Sequence, residues 1–141
     1  MIFMRSVQAY QELFSTHLSS LAFEKEPTGL YNPISYIMKL GGKRMRPVLA
    51  LMACEAAGNK PTTALGAATA VELFHNFTLL HDDIIDDATL RRGQQTVHQK
   101  WDINTGILSG DALLVIAYQQ LNQYDHGLFS ELTKLLSETA L

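Results

Sequence analysis

The chain carries a dense group of aspartates at residues 82–87, where the sequence reads DDIIDD. Asp82 and Asp86 are one helical turn apart, so a helix would place them on one face. Like charges at this spacing lower helix stability by roughly 0.2–0.5 kcal/mol per pair. Carboxylate oxygens favour magnesium, which takes one or two protein carboxylates and completes its shell with phosphate oxygens. The pattern therefore predicts that Asp82 and Asp86 bind Mg²⁺ and, through it, a phosphate compound.

Two other interpretations of this acidic group stay open. The carboxylates could form a solvated face, or they could lie at a helix end and hold only water. A calcium loop is disfavoured, because its ligands alternate along a glycine-containing turn, whereas Ile84 and Ile85 continue a helical pattern here. The acidic group on its own is therefore moderate support for magnesium.

An imidazole and two guanidinium groups flank the acidic group. Helical spacing places His75 on the same stripe as Asp82. Arg91 and Arg92 follow the aspartates, and each can bind phosphate oxygens through paired N–H groups. Each side chain also has a structural interpretation, because a single histidine is more often a core or surface residue, and the arginines could neutralise the aspartates.

A second basic group lies at residues 41–47, which read GGKRMRP. Two glycines and a proline bracket Lys43, Arg44 and Arg46, at a point where a helix begins and its first backbone N–H groups lack partners. Such a loop can bind an anion. Basic residues near a helix end also stabilise the preceding helix C-terminus, so the loop alone is a weak signal.

Taken together, one acidic group and two basic groups predict a site for two phosphorylated groups, one held through Mg²⁺ and one held directly. Apolar side chains on the same helix could line a slot for a hydrocarbon tail, although such a stripe is more often ordinary core. These residues are Phe74, Phe77, Thr78, Leu79 and Leu80.

The composition describes the protein that must position these residues. With 141 residues, 47% hydrophobic and 18% charged, the chain fits one globular domain. A formal charge of −3 disfavours nucleic-acid binding. Cys54 is the only cysteine, so no disulfide framework is possible. No window reaches the roughly 18 apolar residues of a membrane span, and no signal peptide is evident, so we expect a soluble, cytoplasmic protein that is not embedded in a membrane.

Apolar residues recur at helical spacing along most of the chain, and the alternation typical of strands is absent. The pattern predicts an all-α fold in which ligand sites are built from side chains on facing helices. Asn32-Pro33 is expected to cap the second helix, and Pro47 to begin the third. The predicted helices span about residues 2–23, 33–41, 47–57, 63–87, 104–124 and 130–141.

In their order and spacing, several segments resemble the trans-isoprenyl diphosphate synthases, also called polyprenyl synthetases. They are GGKRMRP at 41–47, His75, LHDDIID at 80–86, LRRG at 90–93 and GDALL at 110–114. The resemblance covers nearly the whole chain. It implies an isoprenoid-synthase-type helical bundle and a Mg²⁺-dependent prenyltransferase that condenses isopentenyl diphosphate head-to-tail with an allylic diphosphate.

The resemblance also implies a role for each residue of the site. Asp82 and Asp86 would bind Mg²⁺ on the allylic diphosphate, with Asp83 supporting them. Arg91 would hold the same diphosphate and act with the three aspartates in catalysis. The residues that would hold isopentenyl diphosphate are Lys43, Arg46, His75 and Arg92.

The resemblance also implies which residue limits the length of the product. In the family, the position five residues before the first aspartate lies on the floor of the elongation tunnel, and here it is Phe77. A large ring should block long products. Thr78 beside it is small, and no two-residue insertion expands the aspartate motif. This combination resembles synthases of geranylgeranyl length more than those that make very long polyprenyl products.

The chain departs from the family in one respect, because the second aspartate-rich motif of the family is not present. Residues 1–141 are therefore expected to be the N-terminal part of a single polyprenyl synthetase domain, inactive alone and homodimeric when whole. Two alternatives are a class I terpene cyclase and a noncatalytic subunit of a prenyl synthase. The basic loop favours the synthase, because a cyclase has no second diphosphate to hold.

Overall fold

The computed structural model describes residues 5–140, and helices account for most of them. The α-helices are α1 Val7–Ser20, α2 Thr28–Lys39, α3 Met45–Ala56, α4 Leu65–Ile85, α5 Val97–Lys100, α6 Ile103–Gln119 and α7 His126–Thr139. Two 3-10 helices, Pro61–Ala64 and Gln120–Gln123, precede α4 and follow α6. The all-α prediction is confirmed. Across residues 5–140, no helix has both the length and the apolar character needed to cross a membrane.

The predicted start of the second helix was wrong. We expected Asn32 to cap it, but α2 begins at Thr28 and contains Pro33 in its interior. Pro33 removes only the one N–H that would bond to the carbonyl group of Gly29. Burial of Pro33, together with Ile34 on the same helix, offsets that loss.

The expectation that strands are absent was also wrong at one place. Strand β1, Leu90–Arg91, pairs antiparallel with strand β2, Gln94–Gln95. The turn between them is Arg92-Gly93, and both residues have positive φ, 54° and 78°. This pair of angles is typical of a type I′ turn, whose twist matches that of the flanking strands.

The chain divides into two compact units. The first contains residues up to 21, residues 44–72 and residues from 116 onward. Its core joins α1 to α3 and to the first part of α4 through Tyr10, Phe14, Val48, Leu51 and Ala68. This burial explains the apolar spacing of α1, because Tyr10 and Phe14 lie one turn apart and neither is exposed to solvent.

A buried ion pair also stabilises the first unit. Arg44 Nη1 donates to Glu72 Oε1, and the two side chains are only 10% and 4% exposed. Arg44 has φ 50° and is the N-cap residue of α3, whereas Glu72 lies on α4. The pair therefore fixes the beginning of α3 against α4.

The second unit contains residues 22–43 and 73–115. In this unit Ser109 Oγ of α6 donates to the Leu30 carbonyl of α2 at 3.1 Å. Tyr36 of α2 donates to the Gln95 carbonyl of the hairpin at 2.7 Å, and its ring meets Trp101 edge to face at 5.3 Å between centroids. Helix α2 thus holds both the hairpin and the segment that precedes α6.

Replacing Arg44 with Met should destabilise the protein by about 3–5 kcal/mol, because Glu72 would be left buried without its cation. Urea denaturation followed by circular dichroism measures this change. The matched control is Arg5→Met, since Arg5 forms an ion pair with Glu55 but is 46% exposed. We expect the control to cost about 0–1 kcal/mol. Equal effects of the two substitutions would contradict the structural role of Arg44.

Candidate functional site

The C-terminal end of α4 presents the acidic group. The helix ends at Ile85, two residues before its predicted end, but the Asp86 N–H still donates to the Asp82 carbonyl at 2.8 Å. The helical turn is therefore preserved up to Asp86, and the carboxylates of Asp82 and Asp86 lie one turn apart. Both residues are exposed, so their oxygen atoms are accessible to a cation.

Asp83 occupies a different environment from its neighbours. Its side chain is 2% exposed and forms a bidentate ion pair with Arg91, with Nε 2.8 Å from Oδ2 and Nη2 2.7 Å from Oδ1. The hydrogen bonds that Arg91 donates to Asp83 are the main reason that the pKa of Arg91 is raised, and the charges of Asp82 and Asp86 add to this effect. Asp83 therefore ties strand β1 to the end of α4.

The ion pair with Asp83 occupies part of the guanidinium that was predicted to bind a diphosphate. The sequence left open that Arg91 only neutralises an aspartate, and in the structure Arg91 does neutralise Asp83. A guanidinium group has further N–H donors beyond those used here. Binding of a diphosphate by Arg91 therefore stays a prediction, and Asp83 has a structural contact that the sequence did not specify.

The segment between α4 and α5 is held by a compact set of hydrogen bonds. Asp87 has φ 49° and reverses the chain, after which the Ala88 N–H donates to the Asp83 carbonyl at 2.9 Å. Thr96 is buried and donates through Oγ1 to the Ala88 carbonyl at 2.7 Å. These contacts place the hairpin, with Arg91 and Arg92, directly after the acidic group.

Within the second unit, Arg92 contacts the two glycines that open the basic loop. Its Nη1 donates to the carbonyl group of Gly41. Its guanidinium lies against Gly42, where a Cβ atom would be only 2.8 Å from Nη2. Gly41 and Gly42 also have φ of 75° and 135°, which L side chains rarely adopt. Backbone conformation therefore favours glycine at both positions, and the approach of Arg92 adds a steric requirement at Gly42.

The three cations of the basic loop have different surroundings. Lys43 is exposed and belongs to the second unit, whereas Arg44 and Arg46 belong to the first. Arg44 forms the buried ion pair with Glu72. Arg46 is exposed in the first turn of α3. The assignment of Lys43 and Arg46 to a diphosphate stays a prediction.

The apolar stripe of α4 lies within the same unit as the acidic group. Phe77 meets Phe74 edge to face at 5.5 Å and His81 at 4.8 Å between ring centroids. Thr78 Oγ1 donates to the carbonyl group of His75 at 2.8 Å, so its hydroxyl is satisfied by its own helix. His75 is half-buried. No role was predicted for His81, although the structure places its ring against that of Phe77.

The donor set at the end of α4 fits magnesium bound together with phosphate. Asp82 and Asp86 offer exposed carboxylates one turn apart, and Mg²⁺ commonly takes one or two protein carboxylates. Among residues 5–140, no group of three or more His, Cys, Asp and Glu side chains is arranged to hold a metal. The remaining ligands would therefore come from phosphate oxygens, water or other protein groups.

Comparison with known proteins confirms the resemblance. The family model for polyprenyl synthetase matches residues 27–141. Geranylgeranyl pyrophosphate synthase of Geoglobus acetivorans is 45% identical over 114 residues, which cover 81% of this chain and 36% of that protein. Geranylgeranyl pyrophosphate synthase 11, chloroplastic, of Arabidopsis thaliana is 42% identical over 106 residues, which cover 74% of this chain and 30% of that protein.

A solved structure agrees with these relatives. A crystal structure of geranylgeranyl pyrophosphate synthase matches with a TM-score of 0.93 and 52% identity, over 97% of this chain and 42% of that chain. The helical-bundle fold predicted from the resemblance is therefore confirmed. The chain spans about a third of the length of the curated relatives it matches.

Replacing Asp83 with Asn should destabilise the protein by about 1.5–3 kcal/mol, because the buried side chain loses its negative charge and one of the two oxygen atoms that accept from Arg91. The matched control is Asp82→Asn, the neighbouring residue in the same helix, whose side chain is exposed. We expect the control to lie within about 0.5 kcal/mol of the unaltered protein. Urea denaturation measures both variants, and a larger loss for Asp82→Asn would contradict this division of roles.

Proposed function

This chain belongs to the polyprenyl synthetase family, and from that premise we propose that it is part of a trans-prenyltransferase acting in isoprenoid biosynthesis. The reaction joins isopentenyl diphosphate head-to-tail to an allylic diphosphate. The observation that carries the proposal is the arrangement at the end of α4. An exposed acidic pair, Asp82 and Asp86, is followed directly by a hairpin whose Arg92 contacts the glycines of the basic loop.

The acidic pair is proposed to hold the allylic diphosphate through Mg²⁺. Magnesium, when bound, neutralises the negative charge that builds on a departing diphosphate. Asp82 and Asp86 would supply carboxylate oxygens to the ion. Arg91 would contact the same diphosphate with N–H groups not used by Asp83, and the buried Asp83 keeps that guanidinium oriented.

The second substrate, isopentenyl diphosphate, is proposed to be held by direct contact with cationic and imidazole side chains. Arg92 is oriented for this role by its contact with Gly41 and Gly42. An arginine held in one orientation loses less conformational freedom when it binds phosphate oxygens. The full proposed set is Lys43, Arg46, His75 and Arg92.

We propose a product of geranylgeranyl length. Two features support this proposal: Phe77 presents a large ring five residues before the acidic group, and the relatives compared above are named geranylgeranyl pyrophosphate synthases. A growing hydrocarbon chain would meet the ring of Phe77, whereas Thr78 beside it occupies little space. Residues that discriminate between successive lengths act by excluding volume.

The proposed activity belongs to the whole protein, since the matched residues make up 36% of the Geoglobus acetivorans enzyme. These 141 residues alone are not expected to complete the reaction. A homodimer and a cytoplasmic location, both implied by the sequence analysis, are part of the same proposal. The location requires its own test, because one relative is named chloroplastic.

Replacing Asp82 with Asn in the whole protein should lower kcat/KM on the order of 10²-fold, since an electrostatic contact to the developing charge is lost. The assay measures incorporation of labelled isopentenyl diphosphate onto an allylic starter, with Mg²⁺ and with chelator. Asp87→Asn is the matched control, because Asp87 is exposed and its Oδ1 lies 4.0 Å from Nε2 of His98. Absence of elongation by the unaltered protein, or full activity of Asp82→Asn, would overturn the proposed function.

Replacing Phe77 with Ala should lengthen the product, because the ring that stops chain growth is removed. Chromatography of the dephosphorylated products measures the change. We expect the ratio of longer to main product to rise on the order of tenfold, the scale on which pockets discriminate by small volumes. Phe129→Ala on α7, in the other unit, should leave the distribution unchanged. An unaltered distribution in Phe77→Ala would remove Phe77 from the proposal.

A further inference from the structure

His81 joins α4 to α6 within the second unit. Its Nε2 atom is 3.3 Å from the carbonyl oxygen of Ile107 and 3.7 Å from Oδ1 of Asp111. Both of these oxygen atoms are acceptors, so we assign the ring hydrogen to Nε2. The imidazole therefore donates to α6 and is held against that helix.

Gly110 provides the space that this contact needs. A Cβ atom at position 110 would be 2.5 Å from Nε2 and 2.8 Å from Cδ2 of His81, which is closer than real Cβ atoms approach other atoms. The φ of Gly110 is not in the left-handed region, so its backbone does not require glycine. Glycine is less stable than alanine in a helix interior. The imidazole of His81 therefore explains why glycine occupies this position.

The same imidazole also contacts Phe77. Their ring centroids are 4.8 Å apart with an angle of 69° between the planes, and Phe77 meets Phe74 at 5.5 Å and 61°. These edge-to-face contacts are favoured by the charge distribution of the rings. Phe77 thus lies between two rings of its own helix, and the ring of His81 is anchored to α6.

We propose that His81 and Gly110 are positioning residues that set product length by bracing the ring of Phe77. This inference rests on the proposed function. A ring limits chain growth only if it does not rotate away when the growing chain presses on it, so the ring needs a rigid support. His81 supplies that support because the imidazole is held in place by its hydrogen bond to the Ile107 carbonyl group and by close packing against Gly110.

The test uses the whole protein and compares product length, kcat/KM and melting temperature for three variants. His81→Ala removes the brace and should raise the ratio of longer to main product on the order of tenfold, as Phe77→Ala does. His81→Phe keeps a ring against Phe77 but cannot donate to Ile107, so it should return the ratio only part of the way to that of the unaltered protein. Gly110→Ala forces the imidazole off α6 and should broaden the distribution with His81 still present.

Two glycine controls separate this effect from a general loosening of the helices. Gly106→Ala crowds Ile84, since its Cβ would be 2.9 Å from Cδ1, so it disturbs the same pair of helices without touching His81. Gly29→Ala in α2 meets nothing within 4 Å and reports the effect of the substitution alone. Both controls should keep the product distribution of the unaltered protein.

The outcomes are distinguishable. No elongation by the unaltered protein overturns the proposed function and this inference with it. A shift in Phe77→Ala with an unchanged distribution in His81→Ala and Gly110→Ala overturns the inference alone. The inference also fails if Phe77→Ala has no effect, if His81→Phe behaves as His81→Ala does, or if Gly106→Ala shifts the products as much as Gly110→Ala.

Discussion

The ion pair between Asp83 and Arg91 is the interaction on which the candidate site depends. A carboxylate that is 2% exposed would be unstable without a cation, and Arg91 supplies paired hydrogen bonds to both of its oxygen atoms. Because Arg91 belongs to strand β1, the pair fixes the hairpin at the end of α4. Asp82 and Asp86 are left as the exposed members of the acidic group, and Arg92 is carried to the turn.

Close approach of side chains to glycine backbone is the second constraint. At Gly42 the guanidinium of Arg92 occupies the volume of a missing Cβ, and at Gly110 the imidazole of His81 does the same. In both places a polar side chain is held in one orientation by a backbone carbonyl group, that of Gly41 or Ile107. Such contacts fix the orientation of Arg92 and His81, which lie close in sequence to the acidic end of α4.

Much of this fold could be predicted from local patterns. The spacing of apolar residues predicted the helices that became α1, α3, α4 and α6, because helical periodicity depends only on neighbouring residues. The two mispredictions have different causes. The start of α2 was placed too late at Asn32, since the burial of Pro33 outweighs its local helix-breaking tendency. The hairpin was missed because its strands contain only two residues each, too few to show alternation.

The sequence by itself determined the chemical groups of the site, their order along the chain and the family to which they belong. It also placed Asp82 and Asp86 on one face of a helix, since that relation follows from the helical repeat. Tertiary structure decided that Asp83 is buried and paired with Arg91, and that Arg92 contacts Gly41 and Gly42. It also paired Arg44 with Glu72 and packed His81 against Gly110. These pairings join residues far apart along the chain or across a turn, and burial and hydrogen bonding in the folded protein select among partners that are chemically equivalent in the sequence.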